Sequence, residues 1–143
     1  ILGVWIDNAE IYEWRDKQTA AEKIKQAREK SGWKGLYFGG IAFKYQKEVN
    51  SPGLAAKIAT LFVDVVTTSG KATGSAPDLA KIELMKRSIG NFPLAIASGV
   101  SPENVRQFLP YADCFIVATS LLVPGTENFD KDKIKALIDN VRG

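Results

Sequence analysis

Two charged side chains stand directly after predicted strands, where they can take part in chemistry. Lys44 follows an apolar run, and it can pair with a substrate anion or act as an amine that forms a Schiff base. Asp7 follows the first apolar run and can serve as a general base or a metal ligand. We take Lys44 and Asp7 as the catalytic candidates, with a surface lysine and a strand-end cap as the alternatives.

Other kinds of chemistry are excluded by what the chain lacks. It contains no histidine, so it cannot assemble a Ser-His-Asp or Cys-His nucleophile or offer imidazole to a metal. No glycine-rich nucleotide loop follows a strand. The one cysteine, Cys114, begins an apolar run and is predicted to be inert core. We therefore predict no metal and no cofactor.

The last two predicted strands end in small polar residues that suit a phosphate group. Gly99 lets the backbone approach an anion closely, and a helix predicted to begin near Pro102 offers free N–H groups. Hydroxyl donors are available from Ser98, Thr119 and Ser120. Each pair alone is also compatible with a plain turn or strand end. Their coincidence at two successive strand ends predicts a phosphate site.

A third strand end carries more small polar residues. These are Thr67, Thr68, Ser69 and Gly70. We predict that they position the body of a ligand. The loop from residue 67 to 77 is long enough to cover it, and glycines within the loop would allow a lid to move. A plain flexible connection is the alternative.

The elements that must position these residues follow a repeating order. Short apolar runs alternate with amphipathic stretches, which is typical of a parallel sheet built from βα units. We predict strands at residues 1–6, 35–43, 62–66, 93–97 and 114–118, all buried on both faces. Helices are predicted at 16–31, after Ser51-Pro52, at 78–88, from 101–104 and at 130–141. Asp64 and Asp113 fall at the opposite rim, where a stabilising role is expected.

Two architectures fit this repeat: an open doubly wound sheet and a closed barrel. A doubly wound sheet would carry its phosphate loop after an early strand, whereas a barrel carries it after the last two. We therefore predict an α/β fold: about five βα units with parallel strands, forming the C-terminal part of a (βα)8 TIM barrel as one domain over residues 1–143. Five strands cannot close such a barrel. We expect the N-terminal strands to be absent or supplied by another chain, and a homo-oligomer to form.

Composition narrows the partners and the compartment. The net charge is +3 and the basic residues are interspersed with acidic ones, which argues against nucleic-acid binding. No apolar run is long enough for a membrane span. A single cysteine fits a reducing compartment, and we predict a cytoplasmic protein.

Three stretches carry a family resemblance. They are residues 63–70 with 72–74, residues 96–105 and residues 112–121. Their order and spacing resemble the BtpA/SgcQ family, named for a photosystem I biogenesis protein. The resemblance implies a TIM barrel of the ribulose-phosphate-binding type, of which this chain is similar to the C-terminal portion.

Together these observations predict a BtpA/SgcQ-like phosphate-binding barrel that binds or acts on a sugar phosphate or a nucleotide-like small molecule. The alternative is a non-enzymatic assembly or stability factor, of the photosystem-biogenesis type, that keeps the barrel. Both an enzyme and a binding protein are compatible with these residues.

Overall fold

A computed structural model describes all of residues 1–143. Five strands alternate with four α-helices and two 3-10 helices. The strands are β1 (Gly3–Ile6), β2 (Leu36–Gly40), β3 (Val65–Thr68), β4 (Leu94–Ala97) and β5 (Cys114–Ile116). The α-helices are α1 (Thr19–Ser31), α2 (Pro52–Ala59), α3 (Leu79–Ile89) and α4 (Lys131–Arg142), and the 3-10 helices are Val105–Phe108 and Thr119–Leu121.

The strands form one parallel sheet in the order β1-β2-β3-β4-β5. Each strand pairs with its neighbour in the chain; Thr67 of β3, for example, lies opposite Ala95 of β4. A doubly wound sheet reverses its strand order at the point where a ligand binds, and this sheet does not. The order is that of a barrel, in which all strand ends meet at one rim.

Side-chain caps explain where three of the helices begin. The Ser51 hydroxyl accepts a hydrogen bond from the N–H of Leu54, and Pro52 is the first residue of α2. Asp78 and Asp130 cap α3 and α4 in the same way. Gln18 does not cap α1, because its side-chain amide instead contacts the backbone of Tyr12, and α1 begins at residue 19 rather than the predicted 16.

The main core lies between the sheet and helices α2 and α3. Val66, Leu94 and Ile96 of the sheet are fully buried, and they belong to one apolar cluster with Ile82 and Met85 of α3. The α2 helix contributes only small residues to this cluster, namely Ala55, Ala56 and Ala59. Burial of one leucine or isoleucine side chain stabilises a fold by about 1.5–3 kcal/mol. This packing therefore fixes β3 and β4, whose ends carry predicted site residues.

The prediction that every strand is buried on both faces is correct for β3 and β4 and wrong for the outer strands. All residues of β3 and β4 are buried, whereas β1 is exposed throughout and β5 is half-buried. Trp5 of β1 remains 44% exposed. The outer strands have a neighbour on one side only, so their apolar side chains lack part of the cover that inner strands receive.

The prediction of a helix that begins at residues 101–104 is also wrong. Residues 102–104 form a turn, followed only by the 3-10 helix Val105–Phe108. The Asn104 side chain explains this, because its amide donates to the Gly99 carbonyl at 2.8 Å and its oxygen accepts from the Ser101 N–H at 2.8 Å. Local side-chain bonds of this kind compete with helix formation.

Two aspartates occupy equivalent positions at the opposite rim of the sheet. Asp64 accepts a hydrogen bond from the N–H of Tyr37 at 2.7 Å and pairs with Arg28 of α1. Asp113 accepts from the N–H of Leu94 at 2.9 Å and pairs with Lys86 of α3 at 2.8 Å. Each carboxylate therefore joins the start of the neighbouring strand to the helix that precedes that strand, which is a stabilising arrangement.

Candidate functional site

The predicted phosphate residues line one cavity at the ends of β4 and β5. This β4–β5 cavity has a volume of about 450 Å³. It is lined by residues 98–101 and 116–120, by Asn104, by Trp5 and Lys44, and by loop residues 73, 74 and 76. The structure therefore brings Ser98, Gly99, Thr119 and Ser120 together, as the barrel topology requires of successive strand ends.

Several backbone N–H groups in this cavity lining have no hydrogen-bond acceptor in the protein. They belong to Gly99, Val100, Thr119 and Ser120. The N–H groups of Ser98 and Ser101, by contrast, donate to the Ile116 carbonyl and the Asn104 side chain. The donors that the sequence predicted from a helix at Pro102 are thus supplied by the turn at Gly99 and by the start of the 3-10 helix Thr119–Leu121.

Of the three hydroxyl groups predicted to donate to a phosphate, one is already engaged within the protein. The Ser120 hydroxyl donates to the Val100 carbonyl at 2.6 Å, so its proton is already used within the protein. The Ser98 hydroxyl oxygen accepts a long hydrogen bond from the N–H of Gly74 at 3.4 Å. Thr119 is exposed and has no side-chain partner in the protein. Of the residues predicted to bind phosphate, the free backbone N–H groups and the Ser98 and Thr119 hydroxyls are therefore the donors that remain available in this cavity.

Unusual backbone conformations are concentrated at this rim. The non-glycine residues with positive φ are Glu10, Ala42, Tyr45 and Ser98, and each lies in a loop that follows a strand. Ser98 has φ of 77° and is followed by Gly99 at 76°. Such conformations cost about 1–3 kcal/mol for residues with a side chain, and they cluster at functional sites.

The loop after β3 crosses this rim and packs onto it. A Cβ atom added at Gly99 would stand 1.8 Å from the Ser75 carbonyl oxygen, so only glycine allows the loop to approach so closely. The loop is also held by side chains, since Lys44 donates to the Thr73 hydroxyl at 3.1 Å and the Tyr45 hydroxyl accepts from the Thr73 N–H. Hydrogen bonding to Thr73 lowers the pKa of Tyr45.

Lys44 lies where two cavities meet. It lines the β4–β5 cavity and also a second one, of about 380 Å³, which we call the Lys81 cavity. Its backbone N–H donates to the Ser69 hydroxyl at 2.8 Å, which anchors the residue to the end of β3. Lys44 is thus placed within reach of a ligand in either cavity.

The residues predicted to position the body of a ligand divide into two pairs. Ser69 and Gly70 line the Lys81 cavity, whereas Thr67 and Thr68 are fully buried and line neither cavity. Their hydroxyls point to carbonyl groups of the protein, with Thr68 donating to the Ala42 carbonyl at 3.3 Å. Of the four, only Ser69 and Gly70 are therefore placed to contact a ligand directly.

Asp7 is separate from both cavities. It is exposed just after β1, and its carbonyl oxygen accepts a hydrogen bond from the Gln46 side chain at 2.5 Å. Neither cavity lining includes it.

Sequence reasoning missed Lys81, the third residue of α3. Its amino group donates to the carbonyl oxygens of Ala42 at 2.5 Å and Ser69 at 2.8 Å, which joins the loops that follow β2 and β3. Burial lowers its pKa to about 8, although the nearby Asp78 carboxylate opposes this. The available signal was its position four residues before the buried Met85, which places it on the inward face of α3.

Two further properties concern the whole chain. The structure contains no group of three or more acidic or cysteine side chains placed to hold a metal ion. None of the helices combines the length and the apolar character that a membrane crossing needs.

Comparison with known proteins identifies the relatives. The chain is 29% identical over 126 residues to the photosystem I biogenesis protein BtpA of Synechocystis sp., a match that spans 84% of this chain and 44% of that protein. It is 35% identical over 78 residues to an uncharacterised protein of Methanocaldococcus jannaschii, which is 53% of this chain and 30% of that one. The chain thus spans less than half the length of the curated relatives it matches.

A solved structure confirms the fold. The N-(5'-phosphoribosyl)anthranilate isomerase of Pyrococcus furiosus is similar with a TM-score of 0.58 at 16% identity, over 85% of this chain and 57% of that one. The five parallel strands are therefore a TIM-barrel-like half-barrel. The sequence resemblance is confirmed as well, because the sequence model of the BtpA family matches residues 37–143, and the chain belongs to the BtpA family.

Proposed function

We propose that the β4–β5 cavity binds the phosphate group of a small phosphorylated ligand, a sugar phosphate or a nucleotide-like compound. The observation that carries the proposal is the set of four backbone N–H groups, at residues 99, 100, 119 and 120, that lack an acceptor in the protein and belong to the lining of one cavity. Buried or partly buried N–H groups are nearly always paired, and successive free N–H groups in turns form anion sites.

The charge and size of the cavity support the same ligand class. Lys44 is the one ionised side chain in the lining, and no carboxylate stands beside it. A cavity of about 450 Å³ lies within the range of small-molecule sites, roughly 300–1,000 Å³. A phosphate dianion would accept hydrogen bonds from the free N–H groups and pair with the positive charge of Lys44.

Lys44 is the side chain that we propose to act on the ligand. It lines both cavities, and its amino group has one hydrogen-bond partner, the Thr73 hydroxyl at 3.1 Å. Asp7 can join the chemistry only if the ligand extends toward β1, since it lines neither cavity. The loop after β3, which carries Thr73 and Gly74, would cover the bound ligand.

Calorimetric titration with ribose 5-phosphate tests the phosphate site. We expect ribose 5-phosphate to bind and ribose not to bind, because only the first offers an anion to the free N–H groups. Thr119→Asp places a carboxylate in an exposed position of the cavity and is expected to weaken binding at least about tenfold.

The control is Asn91→Asp, which adds the same charge at an exposed turn between α3 and β4. It should leave affinity unchanged within about twofold, since separated surface charges are screened by salt. Equal binding of ribose and ribose 5-phosphate, or equal losses in the two variants, would contradict the proposal.

A second candidate is a non-enzymatic assembly role. It is favoured by the similarity to the photosystem I biogenesis protein of Synechocystis sp.. An assembly role that uses only the outer surface predicts that Lys44→Ala and Asp7→Ala leave function intact. Loss of function from either change, in a folded protein, favours the ligand-binding proposal.

A further inference from the structure

The Lys81 cavity lies beside the β4–β5 cavity and has a positive lining of its own. Four lysines line it, and two carboxylates, of Glu48 and Asp78, oppose them. The lysines are Lys44, Lys47, Lys71 and Lys81. Lys44 is common to both cavities. A ligand group in the Lys81 cavity would therefore adjoin one in the β4–β5 cavity.

Among these four lysines, Lys81 differs from an ordinary surface lysine whose charge is solvated by water. It is half-buried and pairs with no carboxylate within 4.0 Å, whereas Lys86 of the same helix pairs with Asp113 at 2.8 Å. Its two partners are neutral carbonyl oxygens, of Ala42 and Ser69. A charge removed from water is normally paired, so this ammonium lacks an anion.

Two backbone groups in the same lining are also without partners. Ser69 and Gly70 are buried, and their N–H groups donate to no acceptor in the protein. Buried N–H groups are paired in more than about 90% of cases. A Cβ at Gly70 would stand 2.2 Å from the Ser75 carbonyl oxygen, so the loop can pack here only against glycine. One cavity thus contains N–H groups without an acceptor and an ammonium without an ion-pair partner. A bound anion would satisfy both.

We propose that the Lys81 cavity binds a second anionic group of the ligand. The ligand would then be a small molecule with two anionic groups, a phosphate in the β4–β5 cavity and a carboxylate or second phosphate against Lys81. The proposal rests on the phosphate site proposed above and deepens it. Lys44 is the cation that both groups share.

Inorganic phosphate is the probe, because it can enter each cavity without a fixed spacing between them. Equilibrium dialysis with labelled phosphate is expected to show two ions bound per chain. Lys81→Met should abolish or weaken one of them by about tenfold or more, the usual worth of a charge-assisted hydrogen bond. Thr119→Asp should weaken the other, and Lys44→Met should weaken both.

Lys81 also holds two loops together, so its loss can disturb folding. The double variant Lys47→Met/Lys71→Met avoids this, because both side chains are exposed and line the Lys81 cavity but not the β4–β5 cavity. It should weaken the same ion as Lys81→Met. Lys57→Met removes an exposed lysine of α2 outside both cavities and should change neither ion.

The outcomes separate the two proposals. One bound phosphate that is lost in Thr119→Asp and retained in Lys81→Met and in Lys47→Met/Lys71→Met would overturn the second anionic group and leave the phosphate site standing. One bound phosphate that responds to Lys81→Met and Lys47→Met/Lys71→Met but not to Thr119→Asp would overturn the phosphate site, and with it the ligand of two anionic groups. No bound phosphate would overturn both.

Discussion

Lys81 and Lys44 differ in what surrounds their amino groups, and this decides what each can do. Lys44 contacts one hydroxyl and can move toward a ligand, whereas Lys81 is held by two carbonyl groups in a half-buried position. Burial removes water from the Lys81 ammonium, and no carboxylate contacts it within 4.0 Å, so the pKa of the amine falls even though Asp78 lies nearby. Lys81 is therefore the lysine whose titration should report on its cavity.

The Lys81 amine is expected to titrate with a midpoint near 8, against the ordinary lysine value of 10.5 in an unfolded chain. The measurement is the 13C shift of Lys81 Cε against pH, assigned with Lys81→Arg. Inorganic phosphate should raise the midpoint, because a nearby anion stabilises the ammonium. The same titration in urea is the control and should return to the ordinary value.

The sign of the stability effect follows from this lowered pKa. Between the folded and unfolded values the unfolded chain binds more protons, so the Lys81 contribution to the free energy of unfolding rises as the pH rises from about 8 toward 10.5. A folded-state midpoint above 10 would contradict the burial argument.

At the scale of elements, the aspartates at the opposite rim act on three elements each. Asp113 joins the first N–H of β4, the amino group of Lys86 on α3, and the start of β5. Burial alone would raise the pKa of Asp113, but hydrogen bonds from Lys86 and Leu94 and the charge of Lys86 lower it. The carboxylate is thus the ionised acceptor that keeps β4 and β5 in register.

Asp113→Ala and Asp113→Asn are expected to differ in stability. Alanine leaves the Leu94 N–H without an acceptor and should cost about 1–3 kcal/mol in the free energy of unfolding. Asparagine keeps an oxygen for that N–H and loses only a half-exposed ion pair, worth about 0–1 kcal/mol. Urea unfolding of the three proteins measures both values.

The pH dependence provides the internal control. A carboxylate with a lowered pKa contributes stability above its ordinary value of 3.8, and this contribution disappears as the pH falls through the folded-state value. The advantage of the wild type over Asp113→Asn should therefore vanish in acid. If Asp113→Ala and Asp113→Asn lowered the free energy of unfolding equally at neutral pH, the hydrogen bond from the Leu94 N–H would not contribute to stability.

At the scale of the whole molecule, the sheet has two free edges. No strand pairs with the outer side of β1 or β5, and β1 leaves Val4, Trp5 and Ile6 between 40% and 44% exposed. Exposed strand edges with apolar side chains are templates for pairing with another chain. These two edges are where further strands of a longer barrel, or another copy of the chain, would pair.

The 143-residue chain on its own is therefore expected to associate. Sedimentation at micromolar concentration should show dimers or larger species, and Ile6→Lys should reduce them because a charge on an edge strand opposes pairing. Leu54→Lys, on the exposed side of α2, is the matched control and should have no effect. A monomer at all concentrations would contradict the prediction.

The clustering of the candidate site residues was predictable in large part because of barrel geometry. The carboxyl ends of parallel strands lie at one rim of a barrel. Recognising the βα repeat was therefore enough to predict that the small polar residues after β4 and β5 lie close together. Lys81 was not predictable in the same way. It belongs to a helix and reaches back over two loops, and an amphipathic pattern does not distinguish a lysine that contacts backbone from one in solvent.

The sequence by itself determined the alternation of strands and helices, the parallel sheet and the order of its strands. Apolar periodicity and cap residues are local signals, and they encode these features directly. Only the tertiary structure decided the exposure of the outer strands, the replacement of the helix after Pro102 by a turn, and the place of Lys81. These depend on partners distant in the chain: the neighbour that a strand lacks, the carbonyl of Gly99 that Asn104 contacts, and the two loops that one ammonium joins.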